Sequence, residues 1–524
     1  MSATVRDAVQ RLLRELGMTT VFANPGSTEL RFLRDFPADF RYVMALQEAA
    51  VVGMADAYAQ ITGNAAFVQL HSAGGVGNAM GALFTAYRNA APLVIVAGQQ
   101  TRAMLPSEPF LFAADATTLP RPYVKWALEP ARAEDVPAAI ARACAVAMER
   151  PYGPAFVSVP EDDWDRDAQP HSAHRVYGDV APDPAAVAAL ASALDAARAP
   201  AIVAGAGVDR DGAADLLVRL AERLGAPVWA SALASRCGFP EDHPQFAGAL
   251  PRVRSGVVEK LRDADLVLVL GAPVFNYHVH AEGPFLPEGA TLFHLTDDPS
   301  VASYAVAGTS IVAALRPALE QLLPRVKERP PFATPRARPR AEASEPMSIE
   351  FVLQTLAAVV PRDAIVVEEA PSSHTFLHDY LPLQPGGFFT SASGSLGFAM
   401  PAAVGAALAA PHRRVVGLIG DGSAQYTIQT LWSAARERLP IVYAILNNRG
   451  YGAMKSFVEM QGSQRSPSFA IEAIDLVAIA AGYGCRARRI TRAGELRTAL
   501  EEALRANEPV LLDIVVDTTA RKLH

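Results

Sequence analysis

Cysteine is scarce in this chain: Cys144, Cys237 and Cys485 are the only three among 524 residues, and their scattered positions match no disulfide or zinc spacing. A disulfide framework is excluded, and the three read as core residues of a reduced, cytoplasmic protein. Basic excess is also missing. Lys and Arg number 47 against 54 Asp and Glu, a net charge of −7, so there is no electrostatic footprint for nucleic acid. No apolar run is long enough to cross a membrane. The N-terminus, MSATVRDAVQRLLREL, sets charged and apolar residues at helical spacing and lacks the apolar stretch of a signal peptide. Short-period repeats are absent as well.

Apolar residues make up 51% and charged ones 19%, the balance of a soluble enzyme with large buried sheets. The chain is too long for one core. Two polar, proline-bearing stretches divide it: Pro160 to Pro184, and Pro324 to Pro346 with six prolines and almost no large apolar residue. The expected organisation is a domain over 1–180, a central domain over 181–323, a linker over 324–346 and a last domain over 347–524. Each alternates helical patterns with short Val/Ile/Leu/Ala strands, so the fold class is α/β, with three mainly parallel sheets flanked by helices.

In the last segment, Gly420-Asp421-Gly422-Ser423 follows the apolar run Arg413 to Ile419, and Asn447-Asn448 follows Ile441 to Leu446. Such runs read as buried parallel strands. Thr427 to Arg438 reads as the crossover helix between them, which sets the two strands side by side and pointing the same way. Asp421 and Asn448 then meet at the carboxyl edge, where α/β sheets bind ligands. A carboxylate and an amide oxygen suit Mg²⁺, which borrows further oxygens from a bound phosphate. Gly422 and Ser423 offer donors to that phosphate at a helix N-terminus.

The first segment repeats the logic. Its strand Thr20 to Ala23 is followed by Asn24-Pro25-Gly26-Ser27, Tyr42 to Leu46 by Gln47-Glu48, Ala66 to Leu70 by His71-Ser72, and Leu93 to Ala97 by Gly98-Gln99. A parallel sheet puts Ser27, Glu48, His71 and Gln99 along one edge. Each also has a plainer role open to it, as turn residue, first-turn carboxylate or structural histidine.

These motifs, together with Gly77-Asn78-Ala79-Met80-Gly81, Gly271-Ala272-Pro273-Val274-Phe275, Tyr277-His278, Leu396-Gly397-Phe398-Ala399 and Tyr451-Gly452-Ala453, make the chain resemble the thiamine diphosphate (ThDP)-dependent 2-oxoacid decarboxylases, most of all their benzoylformate decarboxylase branch. The resemblance runs over nearly the whole chain. It implies a pyrimidine-binding first domain, a diphosphate-binding last domain and a cofactor held between the first domain of one subunit and the last of its partner. At least a dimer follows, with a tetramer common in the family. It implies Glu48 on the pyrimidine ring, His71 and His278 as proton carriers, and Ser27 on the substrate. Ser372, Gly394, Ser395, Leu396, Asp421, Gly422, Ser423 and Tyr451 would hold ThDP; Asp421, Asn448 and Gly450 would hold Mg²⁺ or Ca²⁺. Phe110, Leu111, Thr390, Met454 and Phe457 would line a pocket for an aromatic 2-oxoacid such as benzoylformate.

The chain departs from that pattern at Pro371, which replaces a hydroxyl residue and loses an N–H donor, at Thr390, which replaces an aromatic, and at Arg449-Gly450, which replaces a Gly-Thr pair. A carboligase of the acetolactate synthase type remains an alternative, and a non-catalytic Rossmann-like nucleotide-binding protein a distant one. For the former, which often holds FAD on the central domain, Gly205-Ala206-Gly207 is a weak dinucleotide signal; the latter would be expected to lose Glu48, which is present.

Overall fold

The structure is a computed structural model that describes residues 3–519 apart from 175, 177, 333–335 and 464. Part of each expected linker therefore lies outside the described residues. Three six-stranded parallel sheets follow one another along the chain. The first holds β1 (Thr20–Ala23), β2 (Arg41–Met44), β3 (Ala66–Leu70), β4 (Leu93–Gln99), β5 (Trp126–Leu128) and β6 (Ala155–Pro160), in the order β2-β1-β3-β4-β6-β5. The middle sheet holds β7 (Pro200–Ala204), β8 (Val228–Ala230), β9 (Phe246–Ala249), β10 (Leu266–Leu270), β11 (Thr291–Thr296) and β12 (Thr309–Val312), in the order β9-β8-β7-β10-β11-β12. The last holds β13 (Ile365–Glu369), β14 (Phe388–Thr390), β15 (Val415–Gly420), β16 (Ile441–Asn447), β17 (Arg486–Ile490) and β18 (Val510–Val515), in the order β14-β13-β15-β16-β18-β17. The first and last sheets share one strand order, a kinship that their sequences do not display.

Pro160 closes strand β6, and Asp167–Ala168 pairs antiparallel with Ala3–Thr4, so the first connector begins later than its composition implies. In the middle sheet, Gly205 and Gly207 pack against the turn after β10, where the Gly207 amide donates to the Gly271 carbonyl (2.9 Å). These glycines serve strand-end packing.

The first and last sheets are joined by helices α2 (Glu48–Thr62) and α5 (Ala399–Ala409), after α1 (Val5–Glu15), α3 (Ser72–Arg88) and α4 (His374–Tyr380) are placed in chain order. Both α2 and α5 are rich in Ala and buried on nearly every face, as a helix between two sheets must be. They belong to one apolar core that runs from Phe22 and Val68 to Ile365 and Tyr443. The crossing is so close that a Cβ on Gly405 would stand 1.9 Å from the Met54 carbonyl oxygen. Gly405→Val is expected to destabilise the fold by about 1–3 kcal/mol or more through forced separation of the helices. A lowered urea midpoint tests this, and an unchanged midpoint would contradict the close crossing.

A buried ion pair links all three units. Asp209 accepts from Arg236 Nε (2.6 Å) and from the Gly386 amide (2.6 Å), while Arg236 reaches the Gln60 carbonyl (3.4 Å) and lies over the Phe389 ring. The Thr390 amide donates to the Ser235 carbonyl (2.9 Å), so a middle-domain segment fixes the end of β14.

Candidate active site

Ser27, Glu48 and His71 gather at the carboxyl edge of the first sheet, each just past a strand. Gln47 caps α2, its Oε1 accepting from the Ala49 (2.6 Å) and Ala50 (3.2 Å) amides, which leaves Glu48 as the first helical residue. Glu48 is buried and accepts from Asn78 Nδ2 of α3 (3.1 Å). A Cβ placed on Gly75 would stand 3.4 Å from Glu48 Oε1 and 3.5 Å from His71 Cβ, which puts the two functional groups on either side of one glycine. Ser27 is exposed in a single 3₁₀ turn.

His71 is held by a residue that the sequence reading passed over. Glu29 is buried; its Oε2 meets His71 Nδ1 (2.9 Å) and the Gly26 amide (2.9 Å), and its Oε1 accepts from Thr28 Oγ1 (2.6 Å) and the Gly98 amide (3.1 Å). That hydrogen bond raises the His71 pKa above the usual histidine range, against the opposing pull of burial. The only signal in sequence was a carboxylate three residues after Gly26, placed to turn back on the loop. Gly26 is required, since any Cβ there would fall within 2.1 Å of the His71 ring.

Gln99 does not face this edge with the others. It ends β4 and holds the following loop, its amide nitrogen donating to the Ala113 carbonyl (2.9 Å) and its oxygen accepting from the Ala113 amide (3.0 Å). That loop carries Phe110 and Leu111 back to the edge, where Ser72 Oγ donates to the Leu111 carbonyl (2.7 Å). Phe110 is 86% exposed, unusual for so large an apolar side chain.

At the last sheet, β15 and β16 pair directly, with Gly420 opposite Leu446. Asp421 and Asn448 consequently stand beyond the ends of neighbouring strands. Asp421 is buried, accepts from the Gly450 amide (3.0 Å), and is pushed up to about 6 by burial. Asn448 Oδ1 is buried with no hydrogen-bond partner among the described residues. Asn447, by contrast, is tied to Asp513 (2.8 Å). A carboxylate short of countercharge beside an orphaned amide oxygen is a donor set that lacks a hard cation. Among the described residues no group of three His, Cys, Asp or Glu side chains could hold a metal ion. The remaining ligands would have to be a backbone carbonyl and a phosphate, and Gly450 offers the first.

The diphosphate residues frame the same place. A Cβ on Gly452 would stand 2.7 Å from Asn448 Nδ2 and 2.8 Å from Ser372 Oγ, and the Tyr451 ring covers Gly422. Ser423 is buried in the turn after β15. A cavity of about 590 Å³ adjoins Asp421 and Asn448. The loop bearing Gly394, Ser395 and Leu396 is fixed by Glu369, which accepts from the Gly397 (2.6 Å), Phe398 (3.3 Å) and Ala399 (2.9 Å) amides. Its other end meets α3, through Thr85 Oγ1 and Ser393 Oγ (2.8 Å).

His278 arrives from the middle domain. Its amide donates to the Arg252 carbonyl (2.8 Å), and its ring meets Phe457 edge-on, with centroids 4.9 Å apart. Burial and the Arg252 charge lower its pKa. Met454 and Phe457 lie one turn apart on α6 (Gly452–Met460), so they share a face. Thr390 is buried with its hydroxyl on the Glu368 carbonyl (2.8 Å) and carboxylate (3.0 Å). Among the described residues no hydrogen bond or ion pair joins Ser27, Glu48 or His71 to Ser372, Asp421, Asn448 or Tyr451 within this one chain.

Three family models match in succession: "Thiamine pyrophosphate enzyme, N-terminal TPP binding domain" over residues 3–117, the central domain over 187–322, and the C-terminal TPP binding domain over 371–514. A benzoylformate decarboxylase of Pseudomonas aeruginosa is 46% identical, with 98% of this chain and 99% of that protein covered. Among solved structures, a thiamine diphosphate-dependent 4-hydroxybenzoylformate decarboxylase of Rhodococcus jostii RHA1 superposes with a TM-score of 0.96 at 43% identity, covering 99% of this chain and 100% of that one. A benzoylformate decarboxylase of Polynucleobacter necessarius gives 0.97 at 40% identity, with the same coverage.

Proposed function

The chain belongs to the ThDP-dependent 2-oxoacid decarboxylases and is a carboxy-lyase of the benzoylformate decarboxylase type; from that premise we propose that its substrate is an aromatic 2-oxoacid, that it releases carbon dioxide without oxidation to leave the aldehyde, and that Mg²⁺ anchors the cofactor. The observation that carries the metal is the orphaned Asn448 Oδ1 beside buried Asp421. In this reading Asp421, Asn448 and the Gly450 carbonyl hold the ion, while Ser372, Gly422, Ser423 and Tyr451 hold the diphosphate and Gly394 to Leu396 the rings. Bound there, ThDP supplies a carbon nucleophile for the ketone and an acceptor for the electron pair that departing carbon dioxide leaves behind.

The residues divide the remaining work. Glu48 holds a proton for a pyrimidine ring nitrogen, in a buried setting that Asn78 orients. His71 and His278 have environments that push their pKa values apart, the pattern of an acid and a base. His71, whose pKa Glu29 raises, donates toward the substrate's carboxylate or reacting oxygen, with Ser27 beside it. His278, whose pKa burial and Arg252 lower, receives or relays a proton. Phe110, Leu111, Thr390, Met454 and Phe457 form the walls.

A second copy would complete the site. The proposal is a homodimer at least, and a tetramer by family habit, with the first-domain edge of one subunit closing over the last-domain edge of its partner; exposed Phe110 fits a covered position. The division at 1–180, 181–323 and 347–524, joined by 324–346, belongs to the same reading. Three buried, free cysteines suit a cytoplasmic setting.

Carbon dioxide release from benzoylformate, pyruvate and a branched 2-oxoacid, with ThDP and Mg²⁺ present, tests the substrate. Benzoylformate should give the highest kcat/KM, and equal inactivity on all three would overturn the assignment. The two histidines also fix the pH profile. Activity should rise as His278 loses its proton, below the ordinary histidine value, and fall as His71 loses its own, above it. Glu29→Gln removes the interaction that raises His71, so the alkaline limb should move to lower pH while the acid limb stays. A profile that does not move would separate Glu29 from the chemistry.

A further inference from the structure

We infer that Asn89 and Thr85, at the C-terminal end of α3, are positioning residues for the cofactor: backed by Asp56 of α2, they hold the loop whose Gly394 to Leu396 meet the ThDP rings, a role that rests on the cofactor placement proposed above. The loop runs from Thr390, at the end of β14, to Ala399, at the start of α5, through Ser391-Ala392-Ser393-Gly394-Ser395-Leu396-Gly397-Phe398. Small residues dominate it, and Gly394 (φ 74°) and Gly397 (φ 104°) adopt left-handed backbone, which glycine reaches only at an entropic cost. Such a segment needs outside support to keep one shape. Glu369 fixes its far end through the Gly397, Phe398 and Ala399 amides, and the first domain fixes its near end.

Two contacts do this. Thr85 and Asn89 are four residues apart, share a face of the helix end and are both buried. Asn89 Oδ1 accepts from the Ala392 amide (2.9 Å). Thr85 Oγ1 donates to the Gly81 carbonyl (3.2 Å), so it accepts from Ser393 Oγ (2.8 Å). Ser393 Oγ in turn accepts from the Ser395 amide (3.0 Å), so Thr85 reaches a cofactor residue through a single hydroxyl.

Asp56 sets which way Asn89 points. The amide's donor and acceptor ends have the same shape, and the wrong rotation would aim Nδ2 at the Ala392 amide, donor against donor. Asp56, 1% exposed, accepts from Asn89 Nδ2 at Oδ2 (2.9 Å) and from Gln60 Nε2 at Oδ1 (2.6 Å). Gln60 is oriented in the same manner, its Oε1 accepting from Arg236 (3.3 Å), which has only donors to give. Every link from Arg236 through Gln60, Asp56 and Asn89 to Ala392 therefore has its direction fixed. Burial pushes the Asp56 pKa up to about 7, the sign of a carboxyl that is costly to keep in the Ala-rich core around α2. Apolar side chains in place of both Asp56 and Asn89 would join the helices at least as well. What the polar pair adds is its hold on Ala392.

The test compares Asn89→Leu, Asn89→Asp and Thr85→Val with the wild type, all loaded with ThDP and Mg²⁺. The readouts are kcat on benzoylformate and near-ultraviolet circular dichroism of the bound cofactor, with thermal midpoints alongside. Asn89→Leu fills the space but leaves the Ala392 amide without its acceptor. Its kcat should fall by about 10–100-fold even at saturating ThDP, the effect of a displacement on the order of 1 Å, and the dichroism should change. Asn89→Asp sets one carboxyl against another, so the two share a proton. Below the raised Asp56 value the new carboxyl donates to Asp56 with its O–H and accepts from Ala392 with its other oxygen, and most of the lost rate should return. Thr85→Val should act in the same direction by a smaller factor. A role confined to stability would lower the midpoint and leave kcat and dichroism of the loaded enzyme at wild-type values. That result in Asn89→Leu overturns the inference, as does a loss that Asn89→Asp does not recover. If the Asn89 variants fail to fold, wild-type values in Thr85→Val overturn it instead. If the wild type turns over no 2-oxoacid, the functional reading fails, and the dichroism still decides the fate of Asn89.

Discussion

Glu48→Gln should lower kcat by about 10²–10⁴-fold, the usual worth of a positioned proton carrier, with little change in thermal midpoint. The replacement keeps the length of the side chain, and its amide oxygen can still accept from Asn78 Nδ2 at the place where Glu48 Oε2 does now. What it loses is the ability to hold and share a proton. The contrast between rate and stability is the informative part. A purely structural Glu48, serving as a first-turn carboxylate at the positive end of α2, would be worth well under a factor of ten in rate and about 0.3–1 kcal/mol in stability. Steady-state turnover of benzoylformate beside a melting curve separates the two, and an unchanged kcat would remove Glu48 from the mechanism.

At the other edge, Asp421→Asn should cost about 100-fold or more in Mg²⁺-dependent ThDP affinity, since even outer partners of metal ligands are worth 10–100-fold. The Asn oxygen can still accept the Gly450 amide that now reaches Asp421 Oδ2 (3.0 Å), so the turn should survive. Asn448→Ala makes the companion case, with opposite signs in two measurements. Removing a buried acceptor that has no partner among the described residues should leave the cofactor-free protein as stable or more so. The same change should sharply weaken cofactor retention. A residue that costs stability and secures function is the mark of a site, whereas a structural amide would lose both together. Isothermal titration with ThDP in the presence and absence of Mg²⁺ reads both variants; unchanged affinity in each would exclude the assigned metal ligands.

How far these residues were legible in sequence depended on where they sit. The central strands β1, β3, β15 and β16 are covered on both faces, so they read as continuous apolar runs, and the residues just past them were found because the carboxyl edge is where a parallel sheet exposes chemistry. Ala201 to Ala204, Val228 to Ala230, Leu266 to Leu270, Thr291 to Leu295, Ala364 to Val367 and Val510 to Val515 still read as strands, whereas the signal fades at β5, β6, β9, β12, β14 and β17. All but β6 lie at sheet edges, where one-sided pairing permits polar residues such as those of Arg486–Ile490. Residues that act through others were hidden for a different reason. Glu29 and Arg252 carry no spacing signal of their own; they matter because a loop and a middle-domain segment bring them to His71 and His278. Thr390 looked like a loss of aromatic wall in sequence, and in the structure its hydroxyl is engaged by Glu368. Asn447 and Asn448 looked equivalent as a pair, yet strand geometry commits the first to Asp513 and leaves the second open.

The most direct test is reconstitution. Protein stripped with a chelator should release carbon dioxide from benzoylformate only when ThDP and Mg²⁺ are both restored, with one cofactor bound per chain. Release in the absence of either, or none in the presence of both across benzoylformate, pyruvate and a branched 2-oxoacid, would contradict the account.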